Sequence, residues 1–327
     1  MVFVFRDKSA ANIFLLILLS IVVHIHFLFV PPTISKNLHD GVISIFFARY
    51  FNTLNGLSII LIYQSLLLLQ AIRLNLLLNS FKMFTTSSYT VGMAYILVSG
   101  FFPEWFSLSP AMVVTPVVIW IFVNLTQLYN NPAVKTLLFN TGILTGLCII
   151  GYHPTIYIVP LIFFALAIIR PFKMSEWLVL ATGFLLPYYF LAAVFFLMDN
   201  LNGFTQFIPR FDIISKTLQV NSWFWACMGI LVLLFLCGIY FWQSINSRMV
   251  ILIRKNWSIL LVMFFLSIPI PFLFNNGNWA HAWLYLVPLS AFIAQTFIQP
   301  RNLTLPNILF WIAVMVVAYN NWLFIKK

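Results

Sequence analysis

An aspartate beside a histidine, followed nine residues later by an arginine, stands out in a chain that carries almost no charge. His39, Asp40 and Arg49 lie in PPTISKNLHDGVISIFFARYFNTLNG, residues 31–56, directly after the first long apolar segment. Charged residues make up 7% of the 327 positions and apolar ones 63%, and an ionisable group in so oily a chain is costly enough to point to function. The stretch therefore reads as an active-site loop. A plainer role is open beside it: Asp40 can cap a helix starting near Gly41 by accepting from that helix's first free amide hydrogens. Over 41 to 52, Ile43, Phe46, Phe47 and Tyr50 recur at helical spacing. That spacing predicts an amphipathic helix lying in the membrane interface, with Arg49 extended to the headgroups.

The elements that must position this loop are membrane spans. Apolar runs long enough to cross a bilayer core fall near 11 to 30, 55 to 72, 87 to 102, 109 to 128, 136 to 151, 154 to 169, 177 to 198, 222 to 243, 257 to 274, 281 to 298 and 305 to 324. The sequence thus predicts one all-α transmembrane domain over 1–327, a polytopic bundle of about eleven helices with an interfacial helix in the first outer loop. No stretch is left over for a folded soluble domain. The formal charge of +11 comes from 17 Lys and Arg residues scattered singly between apolar runs, which excludes a nucleic-acid face and fits the positive-inside pattern. A cytoplasmic amino terminus puts eleven of the 17 inside and six outside, an inner-membrane, multi-pass arrangement. The run from Ala11 is too long for a signal peptide and ends at Pro31-Pro32 without a cleavage pattern, so it is expected to remain as an anchor.

With that orientation, Asp40, Glu104, Asp199 and Asp212 fall on the outer face, as do His39, His153 and His281. Asp7 and Glu176 stay inside beside basic residues. A transporter holds its charges at the midplane on broken helices, whereas these groups gather at one membrane boundary, where chemistry at the outer surface fits better. His24 and His26 are two residues apart in the first run and cannot point the same way, so they read as packing or interface residues. The five histidines lack HxxxH or HxxHH spacing, and Cys148, Cys227 and Cys237 lack CxxC spacing; no metal, cofactor or disulfide framework is expected. Pro116, Pro160, Pro187, Pro269, Pro271 and Pro288 lie in the apolar runs, where kinks open gaps able to admit a lipid tail. Trp105, Trp223, Trp225 and Trp279 near the outer boundary suit either a sugar-stacking rim or an aromatic belt, the belt being favoured for most of them.

FRDKSAANIFLL, FFPEWFSLSP, RPFKMSEWLVLATGFLLPYYF and NNGNWAHAWLYLVPLSAFIA resemble stretches of an uncharacterised family of multi-pass inner-membrane proteins of Bacteroidota. In plan, the chain also resembles the GT-C class of integral-membrane glycosyltransferases, where an acidic first outer loop follows the first transmembrane helix. That resemblance implies transfer of a sugar from a polyprenyl-phosphate donor at the periplasmic face, with Asp40 as catalytic base. The chain lacks the carboxy-terminal soluble domain and the paired acidic motif common in the class. Such a transfer needs cations for the phosphate leaving group. Arg49, Arg210 and Lys216 are the candidates, although Arg210 and Lys216 are equally at home on a solvated loop. His153 or His281 can donate to the same phosphate, and His39 and Glu104 complete the expected substrate-binding set. The competing readings are a non-catalytic scaffold or assembly partner and, behind it, a transporter. A shared outward cavity around Asp40, Arg49, Glu104, His153, Arg210 and His281 would separate the transferase from the scaffold.

Overall fold

The computed structural model describes residues 2–9, 11–35, 40–51, 54–129, 131–211, 221–274 and 279–326, and over these the chain is all-α apart from one short strand pair. In order the helices are α1 (Val2–Arg6), α2 (Ala11–Val23), α3 (Val42–Tyr50), α4 (Gly56–Ser80), α5 (Thr90–Ser99), α6 (Pro110–Thr126), α7 (Val134–Gly151), α8 (Ile158–Ile169), α9 (Met174–Leu197), α10 (Leu201–Phe204), α11 (Ser222–Asn246), α12 (Ile251–Ser267), α13 (Ile270–Leu273), α14 (Leu286–Ile298) and α15 (Thr304–Ile325). Strands β1 (Thr33–Ile34) and β2 (Ser107–Leu108) pair in parallel, Thr33 opposite Ser107.

Among the described residues, seven segments are long and apolar enough to cross a membrane: Gly56–Ser80, Val134–Gly151, Met174–Leu197, Ser222–Asn246, Ile251–Leu273, Trp279–Ile298 and Thr304–Lys326. Four shorter apolar helices accompany them, Ala11–Val23, Thr90–Ser99, Pro110–Thr126 and His153–Ile169. A multi-pass membrane bundle fits this inventory. Each of the eleven apolar runs overlaps one of these segments, but seven alone have the length to span unaided. The first run is the clearest departure. Its α-helix stops at Val23 instead of continuing to 30, and Ile25–Leu28 tightens into a 3-10 turn in which Phe27 and Phe29 bond back three residues, to His24 and His26. The tighter turn buries both imidazoles against polar partners: His24 Nδ1 meets the Ser20 carbonyl at 3.1 Å, and His26 Nδ1 pairs with Asn321 Oδ1 of α15.

The centre of the bundle is α5 and α14, whose residues are all buried. A helix apolar all round is stable only when surrounded, and α4, α11 and α12 supply neighbours. One polar hub ties this centre together. Gln70 of α4 donates to the Met112 carbonyl of α6 at 2.6 Å, while its Oε1 accepts from Tyr95 of α5 at 2.6 Å and from the Trp283 indole at 3.2 Å. With both ends of the amide occupied, the hub rigidifies the core instead of destabilising it.

The pair α7 and α9 packs by a different device. Gly142 and Gly146 stand one turn apart on α7 and face α9: a Cβ on Gly142 would lie 2.6 Å from the Leu180 carbonyl oxygen, and one on Gly146 2.7 Å from that of Phe184. From the α9 side, a Cβ on Gly183 would reach the Phe139 carbonyl oxygen at 2.4 Å. Small residues let the two backbones approach to contact, the means of association open to helices in lipid, where apolar burial gives little drive. Pro116 and Pro187 lie inside α6 and α9, and Pro269 and Pro271 sit at the break between α12 and α13.

Candidate functional site

Three short sequences converge at one end of the bundle: the Asp40-Gly41 step before α3, the Gly151-Tyr152-His153-Pro154 link between α7 and α8, and the Trp279–Tyr285 turn that opens the last fully buried span. The β1–β2 pairing helps to hold the first loop there, extended by the Ser35 amide donating to the Leu108 carbonyl at 3.1 Å. The His153 amide donates to the Asp40 carbonyl at 2.8 Å. Beside it Gly41 adopts φ +117°, and a Cβ there would stand 2.6 Å from the Gly151 carbonyl oxygen. Only glycine meets both demands, a positive φ and backbone contact. Asp40 is thus locked against the end of α7 by its own backbone and its neighbour's missing side chain.

Its carboxylate points into the protein. Asp40 is 4% exposed, and its Oδ2 lies 3.8 Å from Nε2 of His281, itself 1% exposed. On the other side of the imidazole, Tyr152 Oη stands 2.5 Å from His281 Nδ1. Burial pushes the Tyr152 phenol well up, and the nearby Asp40 charge adds to the shift, so the phenol keeps its proton; which of Oη and Nδ1 donates follows the imidazole tautomer. Nε2 faces the Asp40 carboxylate, and the Phe274 carbonyl is a further hydrogen-bond partner of the imidazole. An Asp–His–Tyr relay follows, each ring oriented by the next. At 3.8 Å the Asp–His step is too long for a hydrogen bond, as the separations of catalytic groups without substrate often are.

Three residues per turn sort the faces of the Trp279–Tyr285 turn. His281 faces Asp40 and Tyr152; Trp283 reaches Gln70; Trp279, Ala282 and Tyr285 line a cavity of about 510 Å³. That cavity is walled by Phe102, Trp105, Phe224, Trp225, Phe235 and Phe264 among others, and is apolar throughout. Trp105 braces it: its indole donates to the Trp279 carbonyl at 3.2 Å, and its own carbonyl accepts from Tyr63 at 2.9 Å.

Of the residues expected at a substrate, Asp40, His153 and His281 are brought together. Arg49 and Arg210 are exposed, Arg49 on the last turn of α3 beside the Tyr50 ring. Their long, strongly hydrated side chains stay at the surface where water solvates the charge. Glu104 is half-buried in the Pro103–Phe106 turn, next to Trp105. His39 and Lys216 lie outside the described residues, as does Asp212. The cap position of α3 is taken by Gly41, not Asp40. The helix over 42–50 is present, but Ser44 and Phe47 are its buried residues; the Phe46 and Tyr50 rings meet at a tilt, each about half exposed. Trp105, Trp225 and Trp279 contribute to the cavity wall, Trp225 while 64% exposed, and Trp223 donates to Asn320 Oδ1 at 2.7 Å.

Tyr152 and the two glycines that seat Asp40 were not singled out by spacing. The GYHP link shows as a hinge between two short apolar runs, yet nothing local says that its tyrosine meets a histidine far along the chain. Glu176 pairs with Arg170 at 3.3 Å, the interfacial pair its neighbours suggested. Among the described residues no group of three His, Cys, Asp or Glu side chains is placed to hold a metal. Comparison with protein-family models, curated proteins and solved structures finds no match.

Proposed function

We propose that the chain is a GT-C-like glycosyltransferase that moves a sugar from a polyprenyl-phosphate donor to an acceptor at the periplasmic face of the inner membrane. The observation that carries this proposal is the meeting of Asp40 with His281 and Tyr152 beside an apolar cavity, assembled from three remote segments at the end of the bundle opposite most of the basic residues. In this function Asp40 accepts the proton of the acceptor hydroxyl as the oxygen attacks the anomeric carbon, and the sugar–phosphate bond breaks with its electrons passing to the phosphate. In this function His281, in contact with Tyr152, closes the 3.8 Å gap to the carboxylate as substrate binds. Arg49 is the cation assigned to the phosphate, about 10 Å along α3 from its start, at 1.5 Å per residue. The aromatic cavity takes part of the isoprenoid tail. The same proposal has eleven helices crossing the membrane, α3 in the outer interface and the amino terminus in the cytoplasm.

The near-complete burial of Asp40, His281 and Tyr152 favours a second function, a non-catalytic inner-membrane scaffold in which the relay is a latch fastening the first loop to the core. A mass comparison of envelope glycans and glycoproteins between a deletion strain and its complemented form separates the two. A transferase leaves a defined sugar missing in the deletion and restored by the wild-type chain but not by Asp40→Asn. An unchanged profile moves the assignment to the scaffold.

A further inference from the structure

A second pocket lies at the opposite end of the bundle, where α1, the 81–89 turn and the link between α14 and α15 meet. It encloses about 620 Å³ and is lined by Arg6, Lys8, Arg301, Asp7, Gln299 and the hydroxyls of Thr85, Thr86 and Ser87, among others. Three cations face one carboxylate there. Arg6 is fixed in place, its Nε donating to the Phe297 carbonyl at 2.7 Å and one Nη to that of Pro300 at 2.9 Å. Two of its five N–H donors are spent on those bonds, leaving three for a ligand. The Gln299 side-chain nitrogen is buried and has no hydrogen-bond partner among the described residues. Leaving such a donor empty costs free energy, which a turn of the half-buried Gln299 side chain toward an acceptor oxygen in the pocket removes.

The pocket does not end at its polar rim. Through Arg301 and Leu303 it continues into a groove of about 740 Å³ along the first turns of α15, floored by Ile308, Trp311, Ile312 and Met315. A charged, donor-rich head joined to an apolar channel on a helix long enough to cross a membrane matches an amphiphile with an anionic head. A soluble phosphate has no use for the groove, and a zwitterionic lipid gains little from two surplus positive charges.

From this geometry we infer an anionic-phospholipid site, with the phosphate among Arg6, Lys8, Arg301 and Gln299 and an acyl chain along α15. It is independent of the Asp40 site. The test uses the full-length protein, delipidated in neutral detergent, with retained lipid counted by native mass spectrometry after titration with phosphatidylglycerol or phosphatidylcholine. Phosphatidylglycerol binds in preference. The Lys8→Gln/Arg301→Gln double variant, altered at two exposed side chains, loses about 25-fold in that affinity, roughly five-fold for each cation near a membrane surface. Trp311→Ala weakens lipid binding with the headgroup residues intact, which separates a lost groove from a lost charge. Equal binding of the two lipids, or a double variant that binds like the wild type, overturns the site. Displacement of the lipid by millimolar glycerol 3-phosphate overturns it in favour of a soluble phosphate ligand.

Discussion

At the residue scale the decisive group is Asp40, which combines a buried carboxylate with an oriented imidazole. Asp40→Asn preserves shape and most hydrogen bonding but removes the proton acceptor, so with Asp40 as the proposed base turnover is expected to fall by about 10²- to 10⁴-fold with protein level unchanged. Full rescue of a deletion strain by this variant would sink the catalytic role. Tyr152→Phe acts one step further back. It removes the hydroxyl partner of a buried His281 Nδ1, and an unmet buried polar atom costs about 1–3 kcal/mol. Chemical denaturation in detergent should register that loss, while a variant as stable as the wild type would show that the short Tyr–His contact contributes nothing to the fold. A catalytic relay adds a second signature: Tyr152→Phe lowers turnover beyond what its remaining folded fraction explains.

At the element scale, helices are seated by what they lack. Gly41 joins the first loop to α7 with a positive φ and a backbone contact, so Gly41→Ala must both strain the chain and push α3 away from Gly151. Expected is a destabilisation of about 1–3 kcal/mol and a displaced Asp40; a fully active Gly41→Ala would mean that the carboxylate's position is immaterial. The α7–α9 seam makes an equivalent prediction without touching the site. Gly142→Val places branched bulk where the Leu180 carbonyl already stands, and overpacking of this kind costs about 1–3 kcal/mol or more. Thermal unfolding should occur at lower temperature, with α9, the more lipid-exposed partner, cleaved first in limited proteolysis.

At the scale of the whole molecule, the charge asymmetry and the topology make one joint prediction. Lys8 and Asn202 are exposed residues near opposite ends of the bundle, and the basic end is expected in the cytoplasm. In intact cells a membrane-impermeant thiol reagent should label Asn202→Cys, and Lys8→Cys only after permeabilisation. Cys148 and Cys227 are buried, and the partly exposed Cys237 is replaced by alanine so that only the introduced thiol reports. Reversal of the pattern would place the Asp40 relay in the cytoplasm and remove the periplasmic function.

The sequence by itself determined the all-α membrane character, the positions of the apolar helices and the helix following Gly41, because these depend on local hydropathy and on period, which neighbouring residues carry. It also put Asp40, Arg49, Glu104, His153, Arg210 and His281 forward as one candidate group, by assigning their loops to one side of the bundle. Only the tertiary structure decided which of those side chains meet. Tyr152 joins His281 through a contact between remote segments, and Gly41 is needed because a carbonyl of α7 lies against it. Arg49 and Arg210 lie exposed because charges on surface turns are drawn to solvent, a competition that no spacing along the chain records.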